Sequence, residues 1–150
     1  MNKLHNRKTL SIQNSMADRD KLHSLLFAFA EANDIPAEIT NDLQLVVEEI
    51  FINIINYAYT DNESHDISLE LDDNATTIRI TFTDSGTAFD PLTYCNEMNA
   101  ERDHCDGGMG IAIIKSLTDS QQYQRINQHN VFTVTKLYTK KNIKTDKNRR

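Results

Sequence analysis

"LVVEEIFINIINYAY", residues 45–59, has the spacing of a single helix. At about 100° per residue, Leu43, Val47, Ile50, Ile54 and Ala58 share one side, and Phe51 and Ile55 widen the apolar surface round the cylinder. Such a helix is expected to be largely buried. Its polar residues are not scattered. Glu49, Asn53 and Asn56 fall within an arc of roughly 60° on the same wheel. A polar stripe on a buried helix needs a polar partner, and the rest of the chain has to supply one or bind one.

Working outward, residues 16–33 carry Leu22, Leu25, Leu26 and Phe29 at helical spacing, and "NDIPAE" separates them from the opening helix, with Pro36 in its first turn. "KTLSIQ", residues 8–13, reads as a first strand. After the polar loop "TDNESHD", Ile67, Leu69 and Leu71 and then Ile78, Ile80 and Phe82 alternate with polar residues across the turn-prone "DDNA". That is the pattern of an antiparallel hairpin with one buried face. Apolar periodicity is lost from Asp84 to Gly110, which holds a proline and all four of the chain's glycines and reads as a long surface loop of the lid kind. Helical spacing returns through Ile111, Ile114 and Leu117, and "QQYQRI" and "VFTVTKLY", joined by "NQHN", form a second hairpin. The expected fold is α+β: a two-layer sandwich with a mixed, mainly antiparallel sheet of about five strands and three helices on one face.

The 150 residues, 39% hydrophobic and 25% charged, suit one domain with an adequate core. No apolar run approaches the roughly 20 residues of a membrane span, and "MNKLHNRKTLSIQ" lacks the apolar centre of a secretory signal, so a cytoplasmic location is expected. Cys95 and Cys105 are expected as free thiols; with His104 they fall short of a zinc ligand set. The net charge of -6 hides an asymmetry. Residues 1–139 hold 10 basic and 21 acidic residues, whereas 140–150 hold six basic residues and only Asp146. The acidic body should repel nucleic acid phosphates, and the expected division is a domain over 8–139 followed by a basic, solvated tail over 140–150.

Three stretches could carry chemistry. The stripe beginning at Glu49 and Asn53 is one, "DSGTAFDP" at 84–91 is another, and "GGMG" at 107–110, opening a helix, is the third. A glycine-rich helix start offers free N–H groups and a partial positive charge to a phosphate. Asp84 follows directly on a strand, so its carboxylate emerges at the sheet's end and can accept from an exocyclic amine, while Gly86 permits close approach of a flat ring. The Asn53 side-chain oxygen is a hard donor suited to Mg²⁺. Glu49, one turn earlier on the same face, is placed to take a proton from a hydroxyl.

"EEIFINIINYAY", "DSGTAFDP" and "GGMGI", in this order and spacing, resemble the N, G1 and G2 boxes of the Bergerat-fold (GHKL) ATPases, the superfamily of gyrase, heat-shock chaperone and histidine-kinase ATP domains. The closer resemblance is to its small branch, the bacterial anti-sigma-factor serine/threonine kinases. That resemblance implies ATP and Mg²⁺ as cofactors, Glu49 as general base, Asn53 as the Mg²⁺ ligand, and Asp84 on the adenine amine with Gly86 beside the ring. Gly108 and Gly110 would hold the lid end and the phosphates, and Thr133 would reach the adenine side. It further implies a STAS-type anti-anti-sigma antagonist as substrate, a sigma factor as a second partner, and a homodimer, with neither membrane nor nucleic acid bound directly. One departure stands out. The branch often carries an arginine just before the G2 glycines, where this chain has Asp106, with Arg102 several residues upstream. A carboxylate beside a triphosphate is unfavourable, which bears on phosphoryl transfer more than on binding. The alternative reading is a non-catalytic, nucleotide-dependent protein-binding switch.

Overall fold

A computed structural model describes residues 6–93 and 108–140. Five strands form one sheet: β1 (Asn6–Gln13), β2 (Asp66–Asp73), β3 (Thr77–Asp84), β4 (Ser120–Ile126) and β5 (His129–Leu137), in the order β1-β2-β3-β5-β4. Every pairing among them is antiparallel, so the parallel component allowed by the sequence reading is absent from the described strands. Three α-helices accompany the sheet: α1 (Arg19–Ala32), α2 (Ala37–Asn53) and α3 (Gly108–Leu117). A short 3-10 turn, Met16–Asp18, leads into α1.

Alternation along the strands builds the core. Leu69, Phe82 and Phe132 lie in one row across β2, β3 and β5, and Leu71, Ile80 and Val134 in the next. All six are buried, together with Leu22, Leu26 and Phe29 of α1 and Leu43, Val47, Ile50 and Phe51 of α2. The helices therefore cover one face. The α1 end is closed by Asp34 in the left-handed region at φ 56°, with Ile35 N–H donating to the Ala30 carbonyl at 3.0 Å, and α2 starts just after Pro36.

The opening helix changes register near its end. α2 gives way at Ile54 to a π turn that runs to Ala58. A wider turn shifts the angular phase of the residues in and beyond it. Asn53 is buried at 6% exposure, but Asn56 is turned out to solvent, so the three-residue stripe ends at Asn53. Tyr57 is brought round instead and stacks on Phe89, ring centroids 5.0 Å apart. The β4–β5 turn is also tighter than "NQHN": Ile126 pairs with His129, and Asn127 and Gln128, both at positive φ, form the whole two-residue loop.

At the opposite end of the sheet, Lys140 is pinned to the domain. Its Nζ donates to the Asn33 carbonyl at 2.5 Å, to Asp73 Oδ2 at 2.8 Å and to the Tyr138 hydroxyl at 2.7 Å. Burial and the neighbouring Asp73 push the Tyr138 phenol far up. The other residues of the basic tail, both cysteines, His104, Arg102 and Asp106 lie outside the described residues.

Candidate functional site

A cleft opens between the C-terminal half of α2 and the end of β3 and β5. Ile50, Asn53, Asp84, Phe89, Tyr123 and Asn130 are among its lining residues. The two polar strand residues meet because Asp84 and Asn130 are register partners on the inward phase of β3 and β5. Both are buried, at 4% and 3% exposure. Asn130 Nδ2 donates to Asp84 Oδ1 at 2.9 Å, and the Gly86 N–H donates to the same oxygen at 2.9 Å. Among the described residues Asp84 Oδ2 receives no hydrogen bond, and Asp84 lines the cleft. Burial pushes the Asp84 carboxyl up, against the lowering effect of those two bonds and of the Arg125 and His129 charges.

Asn53 sits on the helix side of the same cleft. Its Nδ2 is buried without a hydrogen-bond partner among the described residues. A buried amide left unpaired costs about 1–3 kcal/mol, and such orphans concentrate where a ligand completes the bonding. One turn earlier the two glutamates take different roles. Glu48 is held by His23 Nε2 at 3.1 Å and Arg19 Nη1 at 3.3 Å, both from α1. Glu49 faces the first turn of α3, where a Cβ built on Gly110 would collide with its carboxylate Oε1 and lie 3.7 Å from its Cβ. Burial, and then the charge of Glu48, push the Glu49 carboxyl up. Gly108 opens α3. The structure thus brings Glu49, Asn53, Asp84 and Gly110 to one side of the sheet.

Gly86 stands just behind the cleft. A Cβ there would lie 2.8 Å from the Ala58 carbonyl carbon, so the missing side chain lets the 85–87 backbone dock on the end of the π turn, where Thr87 N–H donates to the Ala58 carbonyl at 2.7 Å. Thr133 is not brought to the cleft. It pairs with Thr81 on the outward phase of the strands, hydroxyl oxygens 3.4 Å apart, on the sheet face opposite Phe132. The strand's period of two places its neighbour Phe132 in the cleft lining instead. Sequence reasoning does not single out Asn130, Tyr123 or Arg125. It assigns Asn130 to the turn "NQHN", although the inward series 130, 132, 134 is the signal that places it on the strand.

Comparison with known proteins gives the family and the fold. Residues 14–136 match the family described as the histidine kinase-like ATPase domain. The chain belongs to that family. It is 31% identical over 108 residues to the serine-protein kinase RsbW of Oceanobacillus iheyensis, a match covering 67% of this chain and 66% of that kinase. The chain thus spans just under two thirds of that relative. In fold it is similar to the crystal structure of the RsbU and RsbW domains of Rv1364c from Mycobacterium tuberculosis, with a TM-score of 0.61 at 11% identity, covering 88% of this chain and 32% of that one. Among the described residues no helix of the ATPase domain is long and apolar enough to cross a membrane.

Proposed function

We propose that this domain binds ATP with Mg²⁺ and acts as an anti-sigma regulatory kinase, transferring the γ-phosphoryl group to a serine or threonine of a STAS-domain antagonist. The observation that carries the reading is the buried Asn53 Nδ2, a donor without a partner among the described residues, in the same cleft as the Asp84 carboxyl. The acceptor suits the 6-amino group of adenine. The unpaired Nδ2 suits a phosphate oxygen as acceptor, and the Oδ1 of the same carboxamide suits a hard cation that keeps most of its shell as water and phosphate oxygen.

Asn53 would hold the Mg²⁺ ion, which when bound neutralises phosphate charge. Glu49, whose carboxyl is pushed up by burial, would take the proton of the attacking hydroxyl. Backbone N–H groups in the first turn of α3, kept close by Gly108 and Gly110, would bind phosphate oxygens. Positioning and charge compensation carry most of a phosphoryl transfer, and these residues supply both. A cytoplasmic location, a homodimer and a sigma factor as second partner belong to the same proposal.

Asp106, in place of an arginine ahead of the glycines, favours a second reading: a switch that binds nucleotide and partner without transfer. Incubation with γ-labelled ATP, Mg²⁺ and STAS-domain proteins of the source organism separates the two. Label on a serine or threonine of one of them is the expected result. Stoichiometric nucleotide binding with no labelled protein favours the switch.

A further inference from the structure

We infer that Asn130 is the positioning residue that sets base specificity in the cleft, by forcing Asp84 to present only hydrogen-bond acceptors to the bound purine. The inference rests on the nucleotide-binding reading above and adds to it the group that enforces the choice between 6-amino and 6-oxo purines.

A carboxamide can present either end, so what matters is what holds it. Asn130 Oδ1 accepts from Phe89 N–H at 3.2 Å, from the Tyr123 hydroxyl at 2.5 Å and from Arg125 Nη1 at 3.1 Å. Three donors on one atom fix that atom as the oxygen. The nitrogen must then face the other way, where it donates to Asp84 Oδ1 and to the Thr87 carbonyl, each at 2.9 Å. Arg125 adds a second restraint through Nη1 to the Gly86 carbonyl at 2.8 Å.

Asp84 Oδ1 therefore meets two donors and has no room for a proton. A proton on Oδ2 is opposed by the same bonds, because a carboxylate accepting donors is stabilised in its charged form. Among the described residues, the titratable groups around it come from two strands and a loop: Arg125 and Tyr123 from β4, His129 from β5, and Asp90 near Tyr123. The helix side contributes Ile50, Asn53, Ile54 and Ile114, none of which ionises. With Asn130 in place, Oδ2 accepts from a 6-amino group and repels a 6-oxo group. Without its donor, burial favours the protonated acid, which can donate to a 6-oxo group instead.

The test is calorimetric titration with Mg-ADP and Mg-IDP of the wild type and of Asn130→Leu, which keeps the branched shape but carries no donor to Asp84. The wild type should prefer ADP by about tenfold or more, the worth of one hydrogen bond to a charged group. In Asn130→Leu at pH 6.5 that preference should fall to within about threefold, and it should recover toward pH 8.5 as Asp84 ionises. A preference unchanged from wild type at both pH values overturns the inference. If Asn130→Leu does not fold, Asn130→Ala removes the same donor with a smaller side chain; a several-fold smaller ADP preference at pH 6.5 supports the inference and an unaltered one overturns it. A wild type that binds neither nucleotide sinks the nucleotide-binding reading itself, a different result from binding without a role for Asn130.

Discussion

Gly110 lies against Glu49: a methyl group on Gly110 would fall on the Glu49 carboxylate Oε1 and fits only if that carboxylate moves. Alanine inside a helix ordinarily gains about 1 kcal/mol over glycine. Gly110→Ala should therefore leave the free energy of unfolding within about 1 kcal/mol of wild type, because the carboxylate end can swing aside. Phosphoryl transfer should fall tenfold or more, since a catalytic group displaced by about 1 Å loses that much or more. Single-turnover assays beside urea melts check both.

Glu49→Gln should abolish transfer by about 10²-fold or more while Mg-ATP still binds. The stability change has the opposite sign. Burial raises the folded-state pKa of Glu49 above its ordinary 4.5, so the group favours folding when protonated and loses that contribution as pH rises through the raised value. At neutral pH the charged form is the disfavoured one, and the neutral amide should leave the melting temperature equal or higher. In the wild type, transfer should rise with pH through the same ionisation, and that limb should vanish in the variant.

Gly86→Ala sets a methyl group against the Ala58 backbone, which cannot rotate away. A cost of about 1–3 kcal/mol is expected, with weakened nucleotide binding, because Asp84 Oδ1 takes one of its two bonds from the Gly86 N–H. Urea melts read the first effect and calorimetry the second.

Lys140→Met should destabilise by about 3 kcal/mol, because it leaves the fully buried Asp73 without its cation. Lys140 is remote from the cleft, so Mg-ADP affinity should be unchanged. Adding Asp73→Asn should restore part of the loss, and a double-mutant cycle measures how much.

Much of this is legible in the residue pattern. The apolar alternation in 67–71 and 78–82 marks β2 and β3 and their inward faces, and Glu49, Asn53 and Asp84 follow from helix and strand phase. The missed parts are places where a local geometry changes the count. A π turn, written no differently from an α-helix in residue types, carries Asn56 out and Tyr57 in. A two-residue turn at Asn127 and Gln128 returns Asn130 to the strand, although asparagine and histidine there read as loop. Thr133 is a polar residue on a late strand, yet one step of a period-two pattern puts it on the outer face. Lys140 reads as the start of a basic tail; only the folded chain shows the carbonyl of Asn33 and the carboxylate of Asp73 converging on it.

The most direct test of the central claim is calorimetry of Mg-ADP with the wild type and Asp84→Asn. In the variant the amide oxygen would accept from Asn130 and Gly86, leaving an NH₂ group where the cleft needs an acceptor. Burial already disfavours the Asp84 charge, so the variant should fold at least as stably as wild type. The account predicts saturable binding to the wild type and loss of that heat in folded Asp84→Asn. Equal binding by the two proteins would contradict it.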